Sequence, residues 1–409
     1  MTTTPIDRDA AAEIVAGVDT HKDTHHVAVL ATATGARLGD LKVPATPAGY
    51  GQLLGFVASF GVIALIGIEG TNSYGAGLAR FLTAAGVTIR EVIRPKRAQR
   101  RRGKSDPIDA YAAAAQALAE PDALPVAKTA DGPVEQIRVL MAVRRSAMKA
   151  RVAAHRQITS LLVTAPEAVR TRYASLDGDH LIDTLAVTRP GTAVDTVTTA
   201  TGQALRRLAR RHQSLTTEIA EIDADLRVLT AQTAPTMLTT KGFGVITTAT
   251  LLTTAGDNPD RLHSEASFAA LCGAAPIPAS SGKTTRHRLN RGGDRQGNWA
   301  LHQIALVRLS TDPRTKAYAA RLTAHGKSKK DVLRCLKRAI AREAWHLLVH
   351  PAPAPRIDDL RPLRQQLGLT LTQAAEHLGT VAARISELER GTRLNLPLAT
   401  AYREYLNAA

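Results

Sequence analysis

Cysteine is almost missing from this sequence of 409 residues, which contains only Cys272 and Cys335. The two lie far apart, without a CxxC pair or a histidine at metal-ligand spacing, so the sequence supports neither a disulfide framework nor a zinc site. Aromatic residues make up only 3% of the chain. Base stacking on aromatic side chains is therefore expected to be minor, whatever the chain binds.

Long apolar runs are also missing. No uninterrupted apolar stretch approaches the roughly 18 residues that a membrane-spanning helix needs. The N-terminal stretch MTTTPIDRDAAAE has no cationic start followed by an apolar run, as a secretory signal would. We expect a soluble, cytoplasmic protein without a membrane partner.

Positive charge, by contrast, is in excess. Lysine and arginine number 53 against 36 acidic residues, which gives a formal net charge of +17. Such an imbalance favours a polyanionic partner, with nucleic acid first and an anionic membrane second. A DNA partner would place the protein at the nucleoid.

The first 120 residues alternate between strand and helix patterns. Three strand-like runs come first, at 13–19, at 25–33 and after Gly35. A helix, a buried fourth strand, a second helix and a short fifth strand follow. A last helix is predicted from Pro107 to Ala119. The order βββαβαβα predicts an α/β sheet with both parallel and antiparallel neighbours.

Four acidic residues stand at the ends of these elements. Asp19 closes the first strand, and Glu69 closes the apolar strand VIALIGIEG. Asp106 and Asp109 open the last helix, and their three-residue spacing puts both on one helical face. Four carboxylates beside a basic surface suit hard divalent cations that bridge phosphodiester oxygens.

Two other interpretations of these segments remain open. The stretch SDPID is also a good helix start, with Asp106 as the cap and Pro107 at the first position, and such a cap could itself aim the acids at the strand ends. The turn after the first strand offers His21, His25 and His26 as metal ligands. We favour the acids over these histidines.

Residues 94–104 are the most basic stretch, with seven cations in eleven positions. A solvated surface is the simpler interpretation, but the position beside the acids favours a groove that follows a phosphate chain. The cations are Arg94, Lys96, Arg97, Arg100, Arg101, Arg102 and Lys104.

The segments GVDTHKDTHHVAVL, IGIEGTNSYG and KSDPIDAYAAA together resemble the ribonuclease-H-like (RuvC-like) DEDD domain of the insertion-sequence one-ten family of transposases. That family is related to Holliday-junction resolvases and to the pilin invertase. The resemblance implies that Asp19, Glu69, Asp106 and Asp109 hold Mg²⁺, as two ions. It covers roughly residues 13–350.

A second part of the resemblance lies in residues 235–350. The stretch TMLTTKGFGVITTATLLTTAGD is similar to the helix-hairpin-helix opening of the family's second domain, where Gly242 and Gly244 let backbone amides approach phosphate. The loop GAAPIPASSGKTTRHRLNRGGDRQGNWAL resembles the serine-bearing motif, whose serine attacks a DNA phosphate. Ser280 takes that place, with Ser281 as the alternative, and a plain solvated loop is the rival interpretation. Cations around it are expected to bind phosphate, namely Lys283, Arg286, Arg288, Arg291 and Arg295.

The region between these two parts predicts long helices. A heptad seam runs through residues 205–229, with His212 as a polar residue that sets the register. Its expected coiled-coil partner is the helix from Val134 to Leu162, within the chain or across a dimer. We expect a homo-oligomer, either a dimer or a tetramer.

The C-terminal stretch 363–391 resembles a helix-turn-helix of the Cro and phage-repressor type. Residues 371–378 would form the first helix, Gly379 the turn, and residues 381–389 the recognition helix, which presents Arg384 to a DNA groove. The family in its minimal form ends before this stretch.

The predicted organisation has five parts: a catalytic domain (1–128), a helical coiled-coil region (129–234), a serine-bearing domain (235–350), a proline-rich linker (351–356) and a helix-turn-helix (357–409). The predicted function is a DNA transposase or recombinase acting on donor and target DNA. The resemblance adds a structured noncoding RNA that bridges the two DNAs. The alternatives are a sequence-specific DNA-binding regulator and a junction-resolvase-like nuclease.

Overall fold

The structure, a computed structural model, describes residues 12–92, 105–191, 194, 196–282, 287–351, 356–392 and 396–408. The chain divides into two units. The first runs as far as Gly132 and also includes Gly256–His263, and the second comprises Pro133–Ala255 and the chain from Ser264 onwards. Most of the predicted proline-rich linker, residues 352–355, lies outside the described residues.

A five-stranded mixed sheet forms the centre of the first unit. Its strands are β1 (Glu13–Thr20), β2 (Thr24–Ala31), β3 (Arg37–Pro44), β4 (Val62–Glu69) and β5 (Ile89–Val92). They lie in the order β3-β2-β1-β4-β5. Strands β1, β2 and β3 pair antiparallel, while β4 is parallel to both β1 and β5. The predicted α/β sheet with both kinds of neighbour is confirmed.

Three helices accompany this sheet, namely α1 (Pro47–Ala58), α2 (Ala76–Ala84) and α3 (Asp106–Ala119). Side chains alternate between the two faces along a strand, and β1 is buried on both. Ile14, Ala16 and Val18 join the core that α1 and α2 cover, whereas Val15 packs with Ala117 of α3. The predicted order of strands and helices is therefore the observed one.

The second unit begins with long helices. Its first four are α4 (Pro133–Thr164), α5 (Glu167–Tyr173), α6 (Gly178–Val187) and α7 (Val197–Thr233). Helices α4 and α7 pack against each other within the chain, and an ion pair joins Arg144 to Asp223 across them. His212 is half-buried, with its ring centroid 5.9 Å from that of His155 on α4.

The rest of the second unit is mostly helical. It contains α8 (Pro235–Thr239), α9 (Val245–Ala255), α10 (Glu265–Leu271), the short strands β6 (Ile277–Pro278) and β7 (His287–Arg288), α11 (Arg295–Thr311), α12 (Pro313–Ala324) and α13 (Lys329–Val349). A 3₁₀ turn at Pro259–Leu262 belongs to the first unit. A mixed sheet followed by a mostly helical region is thus the observed architecture.

Four short helices close the chain around a core of their own. They are α14 (Leu360–Gln366), α15 (Leu371–His377), α16 (Ala382–Glu389) and α17 (Leu396–Ala408). Ile385 and Leu388 of α16 pack there with the buried Tyr402 of α17. Gly379, between α15 and α16, has a φ of +60°, which glycine adopts without strain.

No helix in the described part of the chain combines the length and the apolar character needed to cross a membrane.

Candidate active site

The ends of β1 and β4 bring the first two acids to the same edge of the sheet. The strands are parallel, and Val18 is paired with Ile68 one residue before each acid. The hydroxyl of Thr20 donates a hydrogen bond of 2.8 Å to the carbonyl of Glu69. Because side chains alternate, Asp19 and Glu69 share the sheet face that α3 covers.

Two glycines let α3 come unusually close to that face. A Cβ added to Gly17 would lie 2.0 Å from the backbone nitrogen of Ala114, and one on Gly67 would lie 2.9 Å from the Cβ of Ala117. Only hydrogen fits in these gaps. The alanine-rich helix therefore packs with its backbone against β1 and β4, and its N-terminal turn lies at the edge where both strands end.

Asp19 is the most buried acid of this edge, with 1% of its surface exposed. Its Oδ2 lies 3.1 Å from Nε2 of His21, whereas its buried Oδ1 has no hydrogen-bond partner among the described residues. Burial of an unsatisfied carboxylate oxygen costs several kcal/mol, about 1–3 or more. A cation bound at that oxygen would remove this cost.

Asp106 faces Asp19 from the first turn of α3. Its Oδ1 lies 3.4 Å from Nε2 of His21, and its Oδ2 accepts a hydrogen bond of 3.3 Å from Nζ of Lys42. The hydrogen bond from Lys42 lowers the pKa of Asp106, and the nearby His21 acts in the same direction. Asp106 is therefore ionised and available to a cation.

The prediction that Asp106 caps α3 is wrong. Asp106 is the first residue of the helix, and Ser105 occupies the cap position, without a side-chain cap hydrogen bond. The carboxylate of Asp106 turns instead towards Lys42 and His21, because an ion pair with a cation is available there. Asp109, one turn on, donates its backbone N–H to the carbonyl of Ser105.

One ligand atom from each of Asp19, His21 and Asp106 lies within 4.8 Å of the other two, so these three residues could hold a metal ion. Glu69, at the end of β4, and Asp109, in the first turn of α3, are not part of this trio. Of the three histidines, His25 is buried and stacked on Tyr50, and His26 is bonded to Asp40 at 2.7 Å.

His21 is thus a residue that the sequence offered as a metal ligand and that we ranked below the acids. It lies two positions after Asp19, in the turn between β1 and β2. There its backbone N–H donates a hydrogen bond to the carbonyl of Thr24. Its position two residues after Asp19, in the polar turn THKDT, is the sequence signal that favours it as a ligand.

The basic run from Arg94 to Lys104 lies outside the described residues, as do Lys283 and Arg286. Of the cations predicted around the serine loop, Arg288, Arg291 and Arg295 are described, and all are exposed.

Ser280 lies in the second unit, in the connection between β6 and β7. These strands pair antiparallel, with Ile277 opposite Arg288 and Pro278 opposite His287. Ser280 and Ser281 are both exposed at the start of the loop that follows β6. Both serines therefore lie at the surface of the second unit.

The hairpin between α8 and α9 carries the two predicted glycines. Gly242 has a φ of +87°, and a Cβ there would lie 3.0 Å from Cγ of Arg308. The N–H of Gly244 donates to the hydroxyl of Thr247 at 2.9 Å. That amide would have to exchange Thr247 for a phosphate oxygen in order to bind DNA.

In the C-terminal helices, Arg384 of α16 is partly exposed and forms an ion pair of 2.8 Å with Glu387 one turn on. The buried Arg364 and Glu389 form a second pair, at 2.7 Å, and the hydroxyl of Tyr402 donates to the same carboxylate. The first pair is on the surface, while the second holds α14, α16 and α17 together.

Two family models match this chain. A model of DEDD transposases of the IS110 type, described as "Transposase", matches residues 16–165, and one described as "Transposase IS116/IS110/IS902 family" matches residues 234–320. Together they cover more than half of the chain, in the expected order. The chain belongs to the IS110 family of transposases.

The DEDD match spans all four acids, and the second match spans the α8–α9 hairpin and Ser280. The mixed sheet is consistent with a ribonuclease-H-like domain of such transposases. Neither match reaches α14–α17, which stand outside the two family regions.

Two curated relatives carry the name of insertion elements. One is the "Insertion element IS900 uncharacterized 42 kDa protein" of Mycobacterium paratuberculosis, 29% identical over 51% of this chain and 51% of the relative. The other is the "Insertion element IS110 uncharacterized 43.6 kDa protein" of Streptomyces coelicolor, 30% identical over 46% of this chain and 45% of the relative. The chain spans about half the length of the curated relatives that it matches.

Proposed function

We propose that this chain is the transposase of an insertion sequence, and that it cuts and rejoins DNA strands with a metal-bound acid cluster and a nucleophilic serine. The observation that carries the proposal is the buried Asp19, in a chain of the IS110 family. Its Oδ1 has no hydrogen-bond partner among the described residues, and its Oδ2 lies 3.1 Å from Nε2 of His21, which also approaches Asp106. A carboxylate buried at such cost is typical of functional sites.

Asp19 and Asp106 would hold a divalent cation, with Glu69 and Asp109 as further oxygen ligands for a second ion. Oxygen ligands suit Mg²⁺, and an imidazole such as that of His21 is better suited to a transition metal such as Mn²⁺. Bound there, the ions would stabilise negative charge on the phosphate oxygens of DNA. His21 bridges the two acids and so keeps them together at the edge of the sheet.

Ser280 would attack a phosphorus atom of the DNA backbone through its Oγ. A bond from phosphorus to Oγ forms, the bond from phosphorus to one deoxyribose oxygen breaks, and that oxygen leaves as a hydroxyl with a proton. Rejoining is the reverse, because a sugar hydroxyl attacks the phosphoserine and Ser280 recovers its proton. No phosphodiester is lost overall, so the exchange needs no outside energy source.

Three further features complete the proposal. A structured noncoding RNA would bridge donor and target DNA, as the family resemblance implies. The low aromatic content is compatible with a protein that reads helical shape and backbone. The α15–α16 pair would act as a helix-turn-helix reader of DNA. Exchange between two DNAs would use a dimer or tetramer at the nucleoid.

The test is a denaturation-resistant protein–DNA adduct. The full chain, its copurifying nucleic acid and DNA spanning an end of the element are incubated with Mg²⁺ or Mn²⁺ and then separated under denaturing conditions. We expect an adduct that is lost in Ser280→Ala and kept in the matched neighbour variant Ser281→Ala. In a separate assay in cells, we expect Asp109→Ala to abolish excision of the element.

The alternatives give other results. DNA cleavage without an adduct, and with Ser280→Ala fully active, would instead indicate a junction-resolvase-like nuclease that uses water. Binding without any cleavage in either metal would indicate a DNA-binding regulator.

A further inference from the structure

A cavity of about 360 Å³ lined by cations lies in the second unit, close to the loop that carries Ser280. Its lining comes from the chain on either side of the hairpin, at residues 273–276 and 287–290, from Tyr318 of α12 and from α13. Five cations line it, namely Arg288, Arg334, Lys337, Arg338 and Arg342.

Carboxylates neutralise only part of this charge. Arg334 is paired with Asp331 at 2.7 Å, while Arg338 and Arg342 share the single carboxylate of Glu265, at 3.1 and 3.0 Å.

The other two cations of the lining meet no acid in the part of the chain that the structure describes. Lys337 donates to the neutral side-chain oxygen of Asn298 at 3.0 Å, and Arg288 forms no ion pair with any described residue. The cavity therefore keeps an excess of positive charge.

Two of these cations are held where water reaches them poorly. Burial, together with the neighbouring Arg334, lowers the pKa of Lys337. Nη1 of Arg338 is buried without a hydrogen-bond partner among the described residues. A buried donor without a partner is rare and costly. Nη1 of Arg338 is such a donor, and together with the excess of positive charge around the cavity it favours an anionic ligand.

The position of the cavity indicates which anion. Pro276, which directly precedes β6, and Arg288 of β7 both contribute to the lining. Ser280 follows Pro278, the last residue of β6, by two positions. At about 3.3 Å per extended residue, an anion in the cavity would lie one or two nucleotides from a phosphate at the serine.

We propose that this cavity binds one phosphodiester group of the DNA strand that Ser280 attacks, and that Lys337, Arg288 and Arg338 are positioning residues for the neighbouring, reacting phosphate. The inference rests on the proposed function. A fixed flanking phosphate would hold the strand in register with Ser280, which explains why the serine sits on a hairpin whose base contributes to the lining of a cationic cavity.

The cavity contains its own reporter, because Cys335 lines it and is partly accessible. The other cysteine, Cys272, is buried, and burial raises the pKa of its thiol far above the ordinary value. A thiol reagent should therefore modify Cys335 first, and Cys272 serves as the internal control.

The experiment measures the rate of maleimide labelling of Cys335 in the full chain, by mass spectrometry, with and without a saturating DNA duplex. DNA binding to the same samples is followed by fluorescence anisotropy at several salt concentrations. We expect the duplex to slow labelling of Cys335 several-fold. Inorganic phosphate should slow it less, and an RNA duplex of the same sequence should have little effect.

Lys337→Met and the exposed Arg288→Gln should each weaken this protection. Each should also reduce the slope of log K against log salt by about 0.9, which corresponds to one lost phosphate contact. Lys330→Met removes the same charge from an exposed position of the same helix and should keep the protection intact. Lys337→Met loses the hydrogen bond to Asn298 and could therefore fail to fold. Arg288→Gln, at an exposed position, then still tests the inference.

Three results would overturn the inference. DNA could bind in the anisotropy assay without protecting Cys335, protection could persist in both cavity variants, or RNA could protect where DNA does not. In each of these cases the chain still binds DNA, so the proposed function is not contradicted. An absence of DNA binding altogether would instead remove the proposed function and this inference with it.

Discussion

At the scale of single residues, Asp19 lowers the stability of the fold while it offers a binding site for a cation. Its carboxylate is almost fully buried, and one of its oxygens has no partner among the described residues. The free energy of folding is less favourable for this reason, and a cation would recover the loss. Function at this site is therefore measurable as a change in stability, without any DNA.

We expect Asp19→Asn to abolish the rise in melting temperature that Mg²⁺ or Mn²⁺ produces in the unchanged chain. At a metal concentration of 100 times the Kd, that rise corresponds to about 2.7 kcal/mol. In EDTA the variant should melt at the same or a higher temperature, because a buried charge has been removed. Differential scanning fluorimetry with both metals makes the measurement.

Asp40→Asn is the matched control for Asp19→Asn. Asp40 is also an acid of the sheet, but it is bonded to His26 and Tyr111. This variant should lose stability in EDTA and keep the metal response. A metal response that survives in Asp19→Asn would show that the cation, if one binds, is held elsewhere.

His212, on α7 opposite His155 of α4, makes the helix pair sensitive to pH. Burial lowers the pKa of His212, and the neighbouring Arg151 and His155 act in the same direction. The unfolded chain, with an ordinary histidine pKa of about 6.5, then binds a proton more readily than the folded chain. Stability is full above that value and decreases as the pH falls from it towards the lowered pKa.

We expect His212→Leu to shrink the difference in melting temperature between neutral and mildly acidic buffer. His325→Leu, at the exposed end of α12, removes a histidine without this burial and should leave the difference unchanged. An equal pH response in the chain and in His212→Leu would assign the effect to other groups.

At the scale of elements, the close packing of α3 on β1 and β4 is what assembles the acid site. The helix is held through Gly17 and Gly67, and its small residues allow the approach. A single methyl group at this contact should move the first turn of α3 away from the strand ends.

We expect Gly17→Ala to destabilise the first unit by more than the roughly 1–3 kcal/mol typical of overpacked cores, because its Cβ would collide with backbone atoms. Gly51→Ala, in the middle of α1 with open space around it, is the matched control and should stabilise by about 0.5–1 kcal/mol. Chemical denaturation of both variants, monitored through the unfolding transition of the first unit, measures the two changes in stability. Equal stability of the two variants would show that α3 does not depend on the glycine.

The elements were largely predictable from sequence, and the contacts between them were not. Alternating and apolar runs gave every strand of the sheet and the order of the helices, because periodicity is a local property. The hydrogen bond from Lys42 to Asp106 joins residues 64 positions apart. No local pattern contains it, so the sequence favoured a cap where the structure has an ion pair.

The acid site, too, was predictable in part: the positions of its strand-end acids were, and its side-chain contacts were not. Asp19 and Glu69 could be placed together because parallel strand ends meet at one edge, which is a rule of topology. The return of His21 over Asp19 depends on the turn geometry and on the rotamer of one side chain, and neither has a signature in the sequence. The choice between pairing of α4 and α7 within the chain or across a dimer also required the structure.

At the scale of the whole molecule, the C-terminal helices lie outside the two family regions and have a core of their own. The family matches end at residue 320, whereas α14–α17 enclose their own core around Tyr402. The buried pair of Arg364 and Glu389 fixes these helices to one another. Such a unit can add sequence reading to the molecule without changing how strands are cut.

We therefore expect a chain ending at residue 351 to keep the Ser280-dependent adduct and to lose preference among DNA sequences. The measurement compares affinity for a duplex from the element end with affinity for a scrambled duplex at the same salt, since only the ratio reports specificity.

Arg384→Gln in the full chain is the finer version of this test. It removes one partly exposed cation from α16 and leaves the core of the four helices intact. A base contact by Arg384 is worth about 1–3 kcal/mol, so the ratio should fall by about ten- to a hundredfold if this helix enters the groove. A uniform loss for both duplexes would mean that Arg384 contacts only phosphate. An unchanged ratio in both variants would assign sequence choice to the rest of the molecule or to the proposed RNA.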